Sequence, residues 1–277
     1  MSLKGKTALI TGGSRGIGRG MAIKLAEKGV KVGVHYFKNE DAAKDTLAKV
    51  KEKGSTGFMV QGDATKPEDI KRMFERTKTE FGGLDFFINN ARPEVPGFYR
   101  PPMEIGLEQW NQAINSQATA FLLGCQAAAG LMQKGGRIIA ITYTPGGRTG
   151  SWQPWVGMGS AKAAMDSLVH YFAVALGKRG ITVNGVSPGV IFGANNPVEG
   201  GVLVGFPPEV QTAIKKWHES GWCPMRRTGT PEDVANLVSL LCMEESQWMT
   251  GQILVCDGGA GLMDTLFPLE IQGGIIP

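Results

Sequence analysis

The sequence predicts an α/β fold, a doubly wound parallel sheet of about seven strands with helices on both faces. Three observations carry this. Short apolar runs alternate with longer segments of helical periodicity from one end of the chain to the other. The runs are apolar throughout instead of alternating, as strands covered on both faces are. A glycine-rich turn, Thr11-Gly12-Gly13-Ser14-Arg15-Gly16-Ile17-Gly18, joins the first run to the first helical segment.

Strands are expected near 6–11, 31–36, 57–61, 84–89, 136–142, 181–187 and 252–256, and helices near 16–28, 39–53, 67–81, 107–133, 156–179 and 231–243. No Gly-, Pro- or Ser-rich linker divides the chain and no repeat is visible, so residues 1–277 are expected to form one domain. Two segments break the alternation. Residues 92–106 are rich in Pro and Gly, and residues 188–222 form a long insertion with a short helix expected near 208–219. Both leave the carboxyl ends of strands, where open α/β sheets bind ligands, so both are expected to be substrate loops. The apolar tail 262–277 needs burial, against a neighbouring subunit or over the substrate cleft.

With 42% hydrophobic and 19% charged residues over 277 positions, a packed core is expected and disorder is not. The net charge of +4 is spread among carboxylates, with no basic stripe, so nucleic acid is not an expected partner. Cys125, Cys223, Cys242 and Cys256 lie far apart in no metal-ligand or redox spacing, so no metal is expected and a reducing compartment is. The chain runs almost at once into Thr7-Ala8-Leu9-Ile10 with no export signal, and no apolar stretch reaches the roughly 20 residues a bilayer needs. A cytoplasmic protein off the membrane is expected.

Strand, glycines, then helix is the arrangement that seats a pyrophosphate at a helix N-terminus. Gly12, Gly16 and Gly18 allow the tight turn, the close backbone approach and close helix packing, which makes this a single-domain Rossmann fold binding a nicotinamide dinucleotide. The spacing G-x-x-x-G-x-G, with Gly62-Asp63-Ala64 after the third strand, Asn89-Asn90-Ala91 after the fourth, Asn115, Lys162 and Ser187-Pro188-Gly189 in order behind it, resembles the short-chain dehydrogenase/reductase family over about residues 5–260. The resemblance implies cofactor contacts from Gly12, Ser14, Arg15, Gly16, Ile17 and Gly18. It further implies Asp63 at the adenine, Asn90 and Ala91 on the adenosine side, Lys162 on the nicotinamide ribose and Ile191 at the nicotinamide amide, with Ala64, Pro188 and Gly189 as further cofactor contacts. It also implies a homo-oligomer, a dimer or tetramer.

An acidic residue at the end of the second strand would bind both ribose hydroxyls and repel a 2′-phosphate. The chain has His35-Tyr36-Phe37-Lys38-Asn39 there, with no carboxylate until Glu40. Arg15 and Lys38 can both reach a 2′-phosphate, so NADP(H) is preferred over NAD(H); the plainer reading makes them solvated surface cations.

Most of the family places a Tyr four residues before the Lys, where it exchanges a proton with the substrate oxygen. Here that position is Met158, and a thioether cannot titrate. The position of the family's Ser, at the end of the fifth strand, holds Tyr143. This is similar to two branches that reduce carbon–carbon double bonds. Mitochondrial 2,4-dienoyl-CoA reductases carry the working Tyr on this strand with Asn and Lys partners. Enoyl-acyl-carrier-protein reductases often carry Met-Gly-x-Ala-Lys-Ala, which Met158-Gly159-Ser160-Ala161-Lys162-Ala163 matches. The latter also have a Tyr seven residues before the Lys, where this chain has Trp155.

Tyr143, Lys162 and Asn115 are therefore the candidate catalytic residues, and Arg92, Trp152, Trp155 and Met158 the candidate substrate pocket. Each has a plainer alternative: a strand-end aromatic for Tyr143, a snorkelling lysine for Lys162, and for Asn115 a purely structural place against a kink-stabilising or water-holding role. Trp152, Trp155, Trp217 and Trp222 flank the expected substrate cleft or an oligomer interface, and Arg92 with Arg100 and Arg148 is a candidate contact for a phosphate-bearing carrier such as CoA or acyl carrier protein. Three functions follow: an NADPH-dependent reductase of an enoyl thioester, a carbonyl reductase using Tyr143, or a catalytically inactive NADP(H) sensor.

Overall fold

The computed structural model describes residues 3–92, 100–143 and 155–263. All seven expected strands form: β1 (Thr7–Ile10), β2 (Lys31–Tyr36), β3 (Gly57–Gln61), β4 (Phe86–Asn89), β5 (Arg137–Ile141), β6 (Thr182–Pro188) and β7 (Ile253–Cys256). They pair in parallel in one sheet, in the order β3-β2-β1-β4-β5-β6-β7. Central strands β1, β4, β5 and β6 are buried at every residue, while edge strands β3 and β7 are partly exposed. Continuous apolar runs are thus the signature of strands covered on both faces.

The helices are α1 (Gly16–Glu27), α2 (Glu40–Glu52), α3 (Pro67–Phe81), α4 (Leu107–Ile114), α5 (Ala120–Leu131), α6 (Val156–Gly177), α7 (Pro208–Trp217) and α8 (Pro231–Cys242). Local chemistry sets several of their ends. Helix α3 starts on Pro67 with Glu68 and Asp69 in its first turn, and it ends on Gly82 at φ 76°, where a left-handed residue is needed. Helix α8 starts on a capping box of Thr230 and Asp233, with Pro231 as its first residue. Met21, Leu25, Val234 and Val238 of α1 and α8 fill one face of the sheet. Ile70, Phe74, Phe121, Met165 and Val169 of α3, α5 and α6 fill the other.

One expectation is corrected. The helix expected over 107–133 forms over 107–131 but is not α-helical throughout, because Asn115–Thr119 form a π-helical stretch between α4 and α5. Side-chain bonding accompanies the break. Ser116 Oγ donates to the Ala113 carbonyl (3.1 Å) and Thr119 Oγ1 donates to Asn115 Oδ1 (3.1 Å). Ser, Thr and Asn compete with the backbone for hydrogen bonds, and π-stretches concentrate at functional sites. The insertion 188–222 holds α7 near the expected place, flanked by a 3₁₀ turn at Val202–Gly205 and a π-turn at His218–Trp222. Among the described residues, no helix is long and apolar enough to cross a membrane.

Candidate active site

The strand order reverses between β1 and β4, so the glycine turn leaving β1 and the Asn90-Ala91 turn leaving β4 emerge side by side. This is the crevice in which open α/β sheets bind ligands. Gly12 (φ 62°) and Gly16 (φ 53°) adopt left-handed backbone that L side chains resist. A Cβ on Gly18 would overlap the Gly12 carbonyl oxygen and come within 2.7 Å of Asn90 Nδ2. The amides of Ile17 and Gly18, in the first turn of α1, meet no backbone carbonyl among the described residues, as an anion site at a helix N-terminus requires.

Asn90 and Ala91 brace this turn. Asn90 Nδ2 donates to the carbonyls of Thr11 (3.0 Å) and Gly12 (3.1 Å), while both backbone amides donate to Thr11 Oγ1 (2.9 and 3.0 Å). Ser14 is buried and its carbonyl accepts from Thr46 Oγ1 (2.9 Å). Arg15 stands at the N-cap of α1; burial, then the neighbouring charge of Arg92, lowers its pKa. Lys38 is exposed at the end of β2, its ammonium 5.1 Å from the Phe37 ring centre. Asp63 Oδ1 accepts from the amide and hydroxyl of Thr65, leaving Asp63 and Ala64 partly exposed at the end of β3. Across the crevice, the Gly189 amide donates to the Cys256 carbonyl after Pro188, and Ile191 is buried in a bridge to Gly229.

Lys162 of α6 is buried, and its Nζ donates to the carbonyl of Ile141 at the end of β5 (2.7 Å). Burial lowers its pKa to about 7; Asp166, one turn along α6, opposes the shift and Arg92 adds to it. Tyr143 leaves β5 two residues beyond Ile141 and, with Trp155, packs against buried Met158 and Ala113. The Trp155 ring also lies 6.1 Å from Phe206 of the insertion, at 35°. Tyr143, Met158 and Trp155 are thus brought together beside the strand end that holds Lys162.

Asn115 is placed differently from the others. It is solvent-exposed and its amide oxygen accepts from Thr119. The fully buried Gln117, two residues on in the π-stretch, instead reaches the dinucleotide side, with Nε2 donating to the Ala91 carbonyl (3.1 Å). Trp152, Arg148, residues 93–99 of the 92–106 loop and tail residues 264–277 lie outside the described residues.

Three contacts lie outside the motifs read from the sequence. His35 bonds the glycine turn, with Gly12 N–H donating to Nδ1 (3.0 Å) and Nε2 facing the Gly62 carbonyl (3.0 Å). Buried Arg19 pairs with Asp45 (2.6 Å) and donates to Thr46 Oγ1 (3.1 Å), the hydroxyl that holds Ser14. The Gly16 amide donates to the Val198 carbonyl (2.8 Å), so the insertion touches the dinucleotide turn as well as the substrate side. The signal for His35, a polar residue in an otherwise apolar strand, was present in the sequence. No group of three or more His, Cys, Asp or Glu side chains among the described residues could hold a metal ion.

Seven parallel strands, a glycine turn at the switch point and a buried lysine facing it define a nicotinamide-dinucleotide oxidoreductase. The chain belongs to the short-chain dehydrogenase/reductase family. Residues 12–261 match the family model described as enoyl-(acyl carrier protein) reductase. A 1-cyclohexenylcarbonyl-CoA reductase of Streptomyces collinus is 34% identical over 93% of this chain and 88% of its own length. A tetrahydroxynaphthalene reductase of Pestalotiopsis fici is 34% identical over 92% of this chain and 91% of its own. The crystal structure of a short-chain dehydrogenase from Burkholderia cenocepacia in complex with NADP superposes with a TM-score of 0.80, at 30% identity over 94% of this chain and 99% of that one.

Proposed function

We propose that the protein is an NADPH-dependent reductase of the C=C bond of an enoyl thioester. The observation that carries this is the pairing of a thioether at Met158 with a phenol at Tyr143 packed against it, beside buried Lys162. The usual acid/base for carbonyl reduction is absent from its place. Hydride addition to the β-carbon of an α,β-unsaturated thioester instead develops charge on the thioester oxygen, which needs a hydrogen-bond donor and a nearby cation. Tyr143 and Lys162 supply both, and the α-carbon can take its proton later from water.

When bound, the nicotinamide supplies the hydride. The turn Gly12–Gly18 would hold its pyrophosphate, and Lys162 would hold its ribose. Arg92, whose charge is felt by both Arg15 and Lys162, favours an anion across this crevice and supports a CoA or acyl-carrier-protein thioester. The relatives divide along the same line: one is named for reducing a cyclohexenylcarbonyl-CoA, the other a tetrahydroxynaphthalene. Carbonyl reduction with Tyr143 as proton donor is therefore the second reading.

The test follows NADPH oxidation with an enoyl-CoA, a 3-oxoacyl-CoA and the simple ethyl ester of the enoyl acid. Turnover of the enoyl-CoA, with the ester much slower, is expected. Oxidation with the oxo substrate alone refutes the proposal, and tight NADPH binding with no turnover points to a sensor.

Lack of a carboxylate before Glu40, together with Arg15 and Lys38, supports NADPH over NADH. The double variant Arg15→Ala/Lys38→Ala is expected to raise the Kd for NADPH about 10²-fold and leave that for NADH within about twofold, since each of two charge-assisted bonds contributes roughly 1.5 kcal/mol. Equal losses for both cofactors would remove the 2′-phosphate role.

Lys162 gives a pH signature. Its pKa of about 7 means that the ammonium is present below that pH and is lost as pH rises through it. If its charge stabilises the developing oxyanion, kcat/KM falls on the alkaline side of about 7. Lys162→Arg keeps a charge at all accessible pH, and its residual activity should lose that limb. An identical limb in the variant would assign the titration to another group.

A further inference from the structure

We infer that His35 is a positioning residue for the dinucleotide, a clamp that sets the geometry of the glycine turn from the neighbouring strand. The inference rests on the dinucleotide reading above and goes beyond it to a residue outside the glycine motif. His35 is buried in β2, with its ring between two turns that face the cofactor crevice. A backbone amide can only donate, so the bond from Gly12 N–H fixes Nδ1 as an acceptor. The ring proton then sits on Nε2 and goes to the Gly62 carbonyl, the residue before Asp63. The imidazole is therefore neutral. Burial also lowers its pKa, against the opposing charges of Asp63 and Asp69.

The same residue holds the next amide through its backbone, because Gly13 N–H donates to the His35 carbonyl (2.9 Å). Both amides of the Gly12-Gly13 step are thus occupied by one residue of β2. An anion is then met by amides farther along the turn, those of Ile17 and Gly18 among them. The clamp also holds Gly12 in its left-handed conformation, which presents the Gly12 carbonyl to Asn90 Nδ2. His35 thereby ties the β1, β2, β3 and β4 ends into one crevice wall. Its work is geometric: it offers no proton and is not placed to touch substrate.

Side-chain length separates this role from simple core filling. Asparagine presents an amide oxygen near the position of Nδ1, so it keeps the acceptor for Gly12. Glutamine reaches one methylene farther, near Nε2, and leucine offers no acceptor. An unsatisfied buried donor shifts an equilibrium by about tenfold or more.

The test measures NADPH affinity by fluorescence titration of the folded wild type and of His35→Asn, His35→Gln and His35→Leu. KM for the substrate is measured at saturating NADPH, and circular dichroism establishes the folded fraction. The expected result is a Kd within about threefold of wild type for Asn and about tenfold or more higher for Gln and Leu, with substrate KM unchanged. Equal Kd values for the folded Asn, Gln and Leu variants would overturn the clamp and leave His35 a packing residue. If Leu does not fold, the comparison of Asn with Gln decides alone. A wild type that binds no NADPH would overturn the dinucleotide reading itself, an outcome distinct from a wild type that binds while all variants match it.

Discussion

Gly18→Ala is expected to abolish useful dinucleotide binding, raising the Kd for NADPH by about 10²-fold. The added methyl would overlap the Gly12 carbonyl oxygen, which cannot retreat because it accepts from Asn90 Nδ2. Asn90 cannot retreat either, since its amide and that of Ala91 are fixed on Thr11 Oγ1. Overpacking of this kind costs about 1–3 kcal/mol where neighbours can shift, and here the neighbours are backbone. Either α1 moves away from β4 or the turn opens, and both separate the amides of Ile17 and Gly18 from their place. Gly130→Ala is the control, because its methyl meets nothing within 4 Å. Fluorescence titration of both variants checks the expectation. Wild-type affinity in Gly18→Ala would mean that the pyrophosphate does not sit on this turn.

Tyr143→Phe is expected to lower kcat by about 10²–10³-fold with NADPH affinity unchanged, the loss seen when one donor to a developing oxyanion is removed. The substitution keeps the ring that packs against Met158 and Ala113, so the pocket wall survives and only the hydroxyl goes. Unchanged kcat in stopped-flow reduction of the enoyl-CoA would remove Tyr143 from the chemistry. The companion variant Met158→Tyr restores a phenol four residues before Lys162. If Tyr143 serves only the enolate oxygen, the second phenol is expected to add an oxo-reductase activity that the wild type lacks; if Tyr143 already donates the proton to a carbonyl, the wild type reduces the oxo substrate and Met158→Tyr adds little.

The seven strands and the helical segments were legible because each depends on a short stretch of chain. Continuous apolar runs such as Thr7-Ala8-Leu9-Ile10 report burial on both faces, and Pro67 or the Thr230/Asp233 box reports a helix start within one turn. The helix 107–133 misled for a related reason. Its apolar periodicity persists across Asn115–Thr119, but the π-stretch depends on how Ser116 and Thr119 bond locally, and periodicity does not record that. The extra residue in that turn sends Asn115 to solvent and Gln117 to the Ala91 carbonyl.

The doubly wound sheet and the glycine turn after its first strand were legible in the chain, as were Lys162 and, through the family resemblance, the absence of a tyrosine at Met158. These are statements about residue type and spacing along one chain. Which side chains serve the turn depends on the folded chain. His35 and Asn90 reach the turn from two other strand ends, the Val198 carbonyl from the insertion, and Gln117 holds Ala91 beside it. The physical reason is that a buried backbone amide takes whatever acceptor folding brings within about 3 Å, and parallel strand pairing brings it from residues far apart in sequence.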